Sequence, residues 1–425
     1  MKRKLLITQP VSIFLFISWL GILIFFVRMT IAPGDIARWV TMEHTYGWQF
    51  LDFYRHIAYA GDLKNIYANT KDAPFPPLAY CFFHILYILN PDNPINPVNA
   101  INWHQVIKSA SLEVQSISYN PLIFLMWNIT LFSLLLLAIK IICKFPKHQS
   151  FLLFASLIFS APFMYGAIEM GNPVVIVLIL LLFSIHFSSS HNIILREISL
   201  ILIAIAAGWK IYPAIFGFIY LREHRYKEAV RLLFWGILFF FAPFIFTGGS
   251  IGFQNYIDTL KIFQNYMNIR WTDVKDFYTA AVISCGGHPS ASTASIIQIF
   301  SFITLLIGLF IAKNRWHALL FASCIMIVCI SNNYRYVSIY AVIPLLFLFA
   351  EHRKTGRISV LDYVNIILFA LTFTIPIYGY MLNIGECDMY IFLPIYLIII
   401  INTIYVYKSK LASIRYYSQP SCRHD

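Results

Sequence analysis

Long apolar stretches separated by short basic clusters run along the whole chain. Windows of roughly 18 to 22 apolar residues are long enough to cross a bilayer as helices. The pattern predicts an all-α integral membrane protein, a single polytopic domain over residues 1–425 with a bundle of about 12 transmembrane helices. The predicted spans lie near residues 11–27, 121–142, 150–166, 173–189, 195–208, 211–221, 228–247, 294–312, 317–331, 336–350, 361–381 and 390–407.

Composition supports this class. Of 425 residues, 59% are hydrophobic and only 12% are charged, which is more apolar surface than a soluble domain can bury. The sequence has no Walker loop, dinucleotide-binding fingerprint or HExxH zinc motif, which argues against a primary pump, a nucleotide-sugar enzyme with a cytosolic domain and an intramembrane zinc protease. The seven cysteines show no metal-binding spacing.

The basic residues indicate an orientation. The net charge is +12, yet lysine and arginine cluster between apolar spans, which is typical of the positive-inside rule and not of a nucleic-acid surface. Twelve crossings place both termini in the cytoplasm. The first apolar run follows a basic tip but has no small-residue cleavage site after it, so we expect a retained helix.

Two long polar segments lie between the spans. We define the first polar segment as residues 28–120 and the second polar segment as residues 248–293, and the orientation predicts that both are outer loops. Loops of this length usually carry function. If the short apolar run 76–89 crossed the membrane, every later loop would lie on the opposite side, against the positive-inside rule. We therefore expect this run to be a juxtamembrane or re-entrant helix on the outer face.

Four residues of the first polar segment have helical spacing. Asp52, Arg55, His56 and Tyr59 stand at i, i+3, i+4 and i+7, so a helix would place them along one face. Asp52 is the first candidate for a general base that takes a proton from a sugar hydroxyl. A surface ion pair between Asp52 and Arg55 is an equally consistent interpretation.

Two other carboxylates compete for this role. Asp35 follows Pro33 and Gly34, a position typical of a helix N-cap, and is the alternative base. Asp62 follows Gly61 and is more typical of a turn.

Several stretches together resemble a known family. They are DFYRHIAYAGDLKNIY, PFPPLAY, MGNPVVIVLILLLF and AGWKIYPAIFGFIYLREHRYKEA, spread over about residues 50–230. Their order is similar to that of bacterial GT-C fold glycosyltransferases that use polyprenyl-phosphate sugars, among them the polyprenol-phosphate-mannose-dependent mannosyltransferases. Three features depart from the family pattern. PFPPL stands where the family has Tyr-Pro-Pro, GNP stands where it has Gly-Gln-x-Asn, and the gap over residues 90–118 is longer. The resemblance therefore does not identify the substrate.

The resemblance implies a GT-C bundle with juxtamembrane helices and an inverting hexosyl transfer on the outer face of the bacterial inner membrane. Asp52 falls where the family has its general base. Lys210 falls on the family's Lys-x-x-Pro element and would face the leaving phosphate, and we add Arg335 by its position alone. For both cations the alternative is a side chain that snorkels to the headgroups.

The implied partners are a polyprenyl-phosphate sugar donor, a glycan or glycolipid acceptor of the envelope and membrane lipid, with no nucleic acid. Arg55, His56 and Tyr59 are candidates for substrate binding. No carboxylate cluster specifies a metal, so no cofactor is expected and dependence on a divalent metal stays open.

Two other functions stay open. A polysaccharide polymerase would depend on arginines such as Arg270 or Arg335 and not on Asp52. A lipid or oligosaccharide transporter would need polar residues along a path through the bilayer.

Overall fold

The computed structural model describes residues 2–31, 51–69, 73–89, 121–168, 171–264, 272–330, 335–374 and 387–418. All regular secondary structure in these ranges is helical. The α-helices, numbered in chain order, are α1 (Lys2–Ile31), α2 (Leu51–Tyr59), α3 (Ile66–Asn69), α4 (Pro77–Ile88), α5 (Pro121–Cys143), α6 (Lys147–Ile158), α7 (Val174–Phe187), α8 (Ile193–Trp209), α9 (Phe218–Arg222), α10 (Tyr226–Phe241), α11 (Gly249–Gln264), α12 (Val274–Ser284), α13 (Ala291–Ile311), α14 (Arg315–Val328), α15 (Val342–Thr355), α16 (Val360–Thr372) and α17 (Cys387–Ser418). The 3₁₀ helices are Ala60–Asn65, Tyr212–Gly217, Ala242–Ile245 and Arg335–Ala341, and a π-helix covers Pro162–Ile168.

Within the described ranges, 6 helical segments are long and apolar enough to cross a membrane. They are Pro10–Val27, Leu122–Cys143, Tyr226–Ile245, Ala291–Ile311, Arg335–Thr355 and Ile391–Ser413. The apolar helices α4, α7, α14 and α16 are shorter. The multi-pass character predicted from the sequence is confirmed, whereas the number of about 12 crossings stays a prediction.

The most deeply buried helices form the centre of the bundle. Every residue of α14 from Trp316 to Val328 is buried, and most of α7 is buried as well. Helix α14 packs against α13, α15 and the 3₁₀ helix Tyr212–Gly217. A helix that is apolar on all sides is stable where protein or lipid surrounds it completely, so these short helices are covered by their neighbours.

Local sequence signals set several helix ends. Ser359 and Asp362 form a reciprocal capping box at the start of α16. Helix α15 ends at Thr355, and the next residue, Gly356, has a φ of 66° in the left-handed region that commonly ends a helix. The predicted span 211–221 is instead the 3₁₀ helix Tyr212–Gly217 followed by the five-residue α9, because Pro213 near its start has no N–H for a regular helical hydrogen bond.

Helices of the first polar segment are packed onto the bundle. Helix α2 packs against α4, and α4 packs against α8. Gly208 allows this close approach, because a Cβ there would lie 2.7 Å from Leu78 Cδ2 and 3.0 Å from the backbone oxygen of Phe239. The apolar run 76–89 is the 12-residue helix α4, and whether it crosses the membrane stays a prediction. This packing brings α2 next to the end of α8.

Candidate functional site

Helix α2 carries the four residues that the spacing placed on one face. The helix is present as Leu51–Tyr59, with Asp52 in its first turn. Asp52, His56 and Tyr59 are buried, and the Arg55 side chain is 25% exposed. Arg55 contacts Asp52, and the rings of His56 and Tyr59 are 5.9 Å apart. The structure therefore brings these residues together at the junction with the bundle.

The Asp52 carboxylate accepts a hydrogen bond on each oxygen. Arg55 Nη2 donates to Oδ1 at 3.0 Å, and Asn172 Nδ2 donates to Oδ2 at 2.7 Å. The predicted ion pair with Arg55 is present, but Asp52 is only 6% exposed, so it is not a surface pair. The two hydrogen bonds together fix the orientation of the carboxylate.

Asn172 is a site residue that was not singled out from the sequence. It lies immediately before α7, 120 residues from Asp52 along the chain. The only sequence signal was the stretch GNP ahead of a long apolar helix. That stretch indicates the start of a helix, but it does not predict which side chain forms a hydrogen bond with the Asn172 amide.

Lys210 lies in an aromatic cage defined by Phe75, Tyr212 and Tyr336. Its Nζ is 5.0 Å from the Phe75 ring centroid, 5.7 Å from that of Tyr212 and 5.0 Å from that of Tyr336. The residue follows the last residue of α8 and is buried, so it does not snorkel to the headgroups. Aromatic faces attract a cation, and the cage therefore holds the ammonium group in a fixed place.

Burial controls the charge of Lys210. Loss of hydration lowers the pKa of Lys210 to about 7, while the nearby Asp52 carboxylate raises it. Near neutral pH, Lys210 is therefore only partly in the ammonium form, and an anion bound beside it would stabilise that form.

His56 is a packed, uncharged part of the site. Its Nδ1 is 3.3 Å from Tyr80 Oη, and its ring lies 4.3 Å from that of Phe75. Burial lowers the pKa of His56 well below its ordinary value, and the positive charges of Arg55 and Lys210 lower it further. His56 is thus a neutral imidazole that packs against the Phe75 ring.

The other predicted residues fall into different environments. Arg335 is the buried first residue of the 3₁₀ helix Arg335–Ala341, and the following residue, Tyr336, belongs to the aromatic cage. Asp62 accepts hydrogen bonds from Asn65 and Asn69, in agreement with a local turn role. Asp35 and Arg270 lie outside the described residues.

The second polar segment contributes packing to this region. Tyr256 on α11 is fully buried, and its ring centroid is 5.1 Å from that of Tyr67. Tyr67 Oη donates to the backbone oxygen of Phe75 at 2.7 Å. Tyr256 therefore supports the segment that carries Phe75. Across the residues the structure describes, no group of three or more His, Cys, Asp or Glu side chains could hold a metal ion.

Comparison with known proteins agrees with the chemistry of this site. The model of Glycosyltransferase family 87 matches residues 116–332, just over half of the chain, and this range includes Asn172 and Lys210. No curated protein and no solved structure gave a match. The match over residues 116–332 shows that the chain belongs to glycosyltransferase family 87.

Proposed function

We propose that this glycosyltransferase transfers a hexose from a polyprenyl-phosphate donor to an envelope glycan or glycolipid, with inversion at the anomeric carbon. The reaction takes place on the outer face of the bacterial inner membrane, with both termini in the cytoplasm. The observation that carries this proposal is a buried carboxylate, Asp52, close enough to a buried lysine, Lys210, to raise the pKa of that lysine.

In the proposed reaction, a hydroxyl oxygen of the acceptor attacks the anomeric carbon, and Asp52 takes the hydroxyl proton. The bond between the anomeric carbon and the phosphate oxygen breaks, and its electron pair leaves with the polyprenyl phosphate. Negative charge grows on the phosphate as this bond breaks. The Lys210 ammonium in its aromatic cage is the group that stabilises this charge.

The remaining predicted residues have supporting roles in this proposal. Arg55 holds one oxygen of Asp52, His56 and Tyr59 shape the wall beside it, and Arg335 is a second cation for the donor phosphate. Asp35 is the alternative base.

The decisive experiment compares purified wild type and Asp52→Asn, reconstituted in lipid, for transfer from radiolabelled polyprenyl-phosphate hexoses to a crude envelope glycan preparation. We expect transfer by wild type and a loss of about 100- to 10,000-fold in Asp52→Asn, the usual contribution of a general base. Asp62→Asn is the matched control. It removes a carboxylate of the same polar segment whose partners are the neighbouring Asn65 and Asn69, and it should transfer at close to the wild-type rate.

Transfer that survives in Asp52→Asn would remove Asp52 as the base and make Asp35 the next residue to replace. Absence of transfer from every donor by wild type, with an acceptor shown to be competent, would contradict a polyprenyl-phosphate donor.

A further inference from the structure

Both ends of the Asn172 carboxamide are occupied. Its Oδ1 accepts a hydrogen bond from the backbone N–H of Val174 at 3.2 Å, and its Nδ2 donates to Asp52 Oδ2 at 2.7 Å. The residue is only 3% exposed. Asn172 therefore links the start of α7 to the carboxylate on α2.

The backbone around Asn172 is fixed as well. The Asn172 N–H donates to the oxygen of Ala167 at 3.0 Å, and Gly171 N–H donates to the oxygen of Ile168 at 3.0 Å. Gly171 has a φ of 63°, in the left-handed region that favours glycine. These two hydrogen bonds and the conformation of Gly171 thus hold the Asn172 backbone in one place.

This arrangement decides which way the amide points. With its oxygen on the Val174 N–H, the amide turns its nitrogen toward Asp52, where Nδ2 donates to Oδ2. A flipped amide would place an oxygen against the carboxylate and leave the Val174 N–H without this acceptor. Asn172 is therefore a donor that cannot turn away from Asp52 without breaking its other hydrogen bond.

A donor at this position affects both the charge and the orientation of the base. A hydrogen bond to a carboxylate oxygen favours the ionised form. Arg55 donates to Oδ1 and Asn172 donates to Oδ2, so both carboxylate oxygens are held and the carboxylate plane is set. Among the described residues, Lys210 at the end of α8 is a second charged group near the carboxylate, since Asp52 raises its pKa. His56 lies on the same helix as Asp52, next to Arg55.

We propose that Asn172 is a positioning residue, whose hydrogen bond holds the Asp52 carboxylate oriented to accept the proton of the acceptor hydroxyl. This inference rests on the proposed role of Asp52 as the general base. It assigns to the turn before α7 a function beyond starting a helix.

The test uses two variants, Asn172→Ala and Asn172→Asp, in the full chain reconstituted in lipid. Infrared spectra are recorded across a pH series, and the carboxyl band of Asp52 is identified as the one that disappears in Asp52→Asn. This band should titrate at higher pH in Asn172→Ala than in wild type, because one charge-assisted hydrogen bond to the carboxylate is lost. In Asn172→Asp the shift should be larger, since two neighbouring carboxyl groups share a proton.

The pH dependence of hexose transfer gives the second readout. The acidic limb of the rate profile should move to higher pH by the same amount in Asn172→Ala, whereas a merely structural defect would lower the rate equally at every pH. The control is Asn365→Ala, which removes another buried asparagine, one that hydrogen-bonds to Asn402. It should leave both the infrared titration and the shape of the rate profile unchanged.

An unchanged titration of the Asp52 band in a folded variant would overturn the proposal. Asn172→Asp keeps the shape of the side chain and carries the test if Asn172→Ala does not fold. The infrared titration needs no substrate, so it decides the role of Asn172 even if wild type fails to transfer any hexose. Transfer by wild type with an unchanged titration would reject the role of Asn172 alone.

Discussion

The ammonium nitrogen of Lys210 lies 5.0 Å from the centroid of the Phe75 ring. The same ring lies 4.3 Å from the imidazole of His56, so Phe75 contacts both the Lys210 cation and the histidine. Phe75 belongs to the first polar segment, whereas Lys210 follows α8. The contact therefore joins the proposed catalytic segment to the bundle.

Phe75→Leu should weaken donor binding. The change removes a cation–π contact of about 0.5 to 2 kcal/mol, which corresponds to about a 2- to 30-fold rise in the donor KM. Initial rates measured against donor concentration would give KM and kcat separately. Phe253→Leu is the control, because Phe253 packs against Phe241 and Phe244 and not on Lys210. Equal donor KM in the two variants would contradict a role of the cage in donor binding.

The charge of Lys210 should make donor binding depend on pH. Its pKa is lowered to about 7, so the ammonium form dominates below that pH and the neutral amine above it. The donor KM should therefore rise as the pH increases from about 6 to about 8. Lys210→Arg, which stays charged over this range, should show a flatter dependence. If Lys210→Met kept the wild-type pH dependence of KM, another group would be responsible.

Gly208→Val should disturb the packing of α4 against α8. A Cβ at Gly208 would meet Leu78 and the backbone oxygen of Phe239, and overpacking of this kind costs about 1 to 3 kcal/mol. We expect a lower unfolding temperature in detergent and a lower transfer rate, because Lys210 lies two residues away. Gly236→Ala is the control, since a Cβ there meets no atom within 4 Å. Equal unfolding temperatures for the two variants would refute this packing.

The buried pair Asn365 and Asn402 should stabilise the contact between α16 and α17. Asn365 Nδ2 donates to Asn402 Oδ1 at 3.2 Å, and Asn402 Nδ2 donates to Asn365 Oδ1 at 2.6 Å. A double-mutant cycle with Asn365→Leu and Asn402→Leu should give a coupling of about 0.6 to 2 kcal/mol in the free energy of unfolding. Unfolding in a detergent titration measures it, and additive effects of the two changes would show that the pair is not coupled.

Cys285 offers a test of the proposed orientation. It is an exposed free cysteine in the second polar segment, which the charge pattern predicts to be an outer loop. In a variant whose only cysteine is Cys285, a membrane-impermeant maleimide should label intact cells from the outside. A variant whose only cysteine replaces the exposed His224 should be labelled only after the membrane is opened. The reverse pattern would invert the topology.

Helix α2 shows how much of the site could be predicted. Spacing alone gave the helix and placed Asp52 and Arg55 within reach of each other, because residues three and four apart share a helix face. The same spacing could not say whether the pair is exposed. The structure shows that Asp52 is buried, because α2 packs against α4 and its carboxylate meets the turn before α7.

The short buried helices show which part of the fold could not be predicted from the sequence. Helix α7 is apolar on all sides and has 14 residues, and periodicity does not distinguish a helix covered by protein from one covered by lipid. The sequence therefore predicted apolar helices correctly but did not fix which of them are long enough to cross the bilayer.

The sequence by itself determined that this is an integral membrane protein, because hydrophobicity is a property of each local segment. It also determined the helix of Asp52, because helical periodicity is local. Only the tertiary structure decided that Asn172 and Lys210 join Asp52, since hydrogen bonds and cation–π contacts between distant segments depend on how the helices pack.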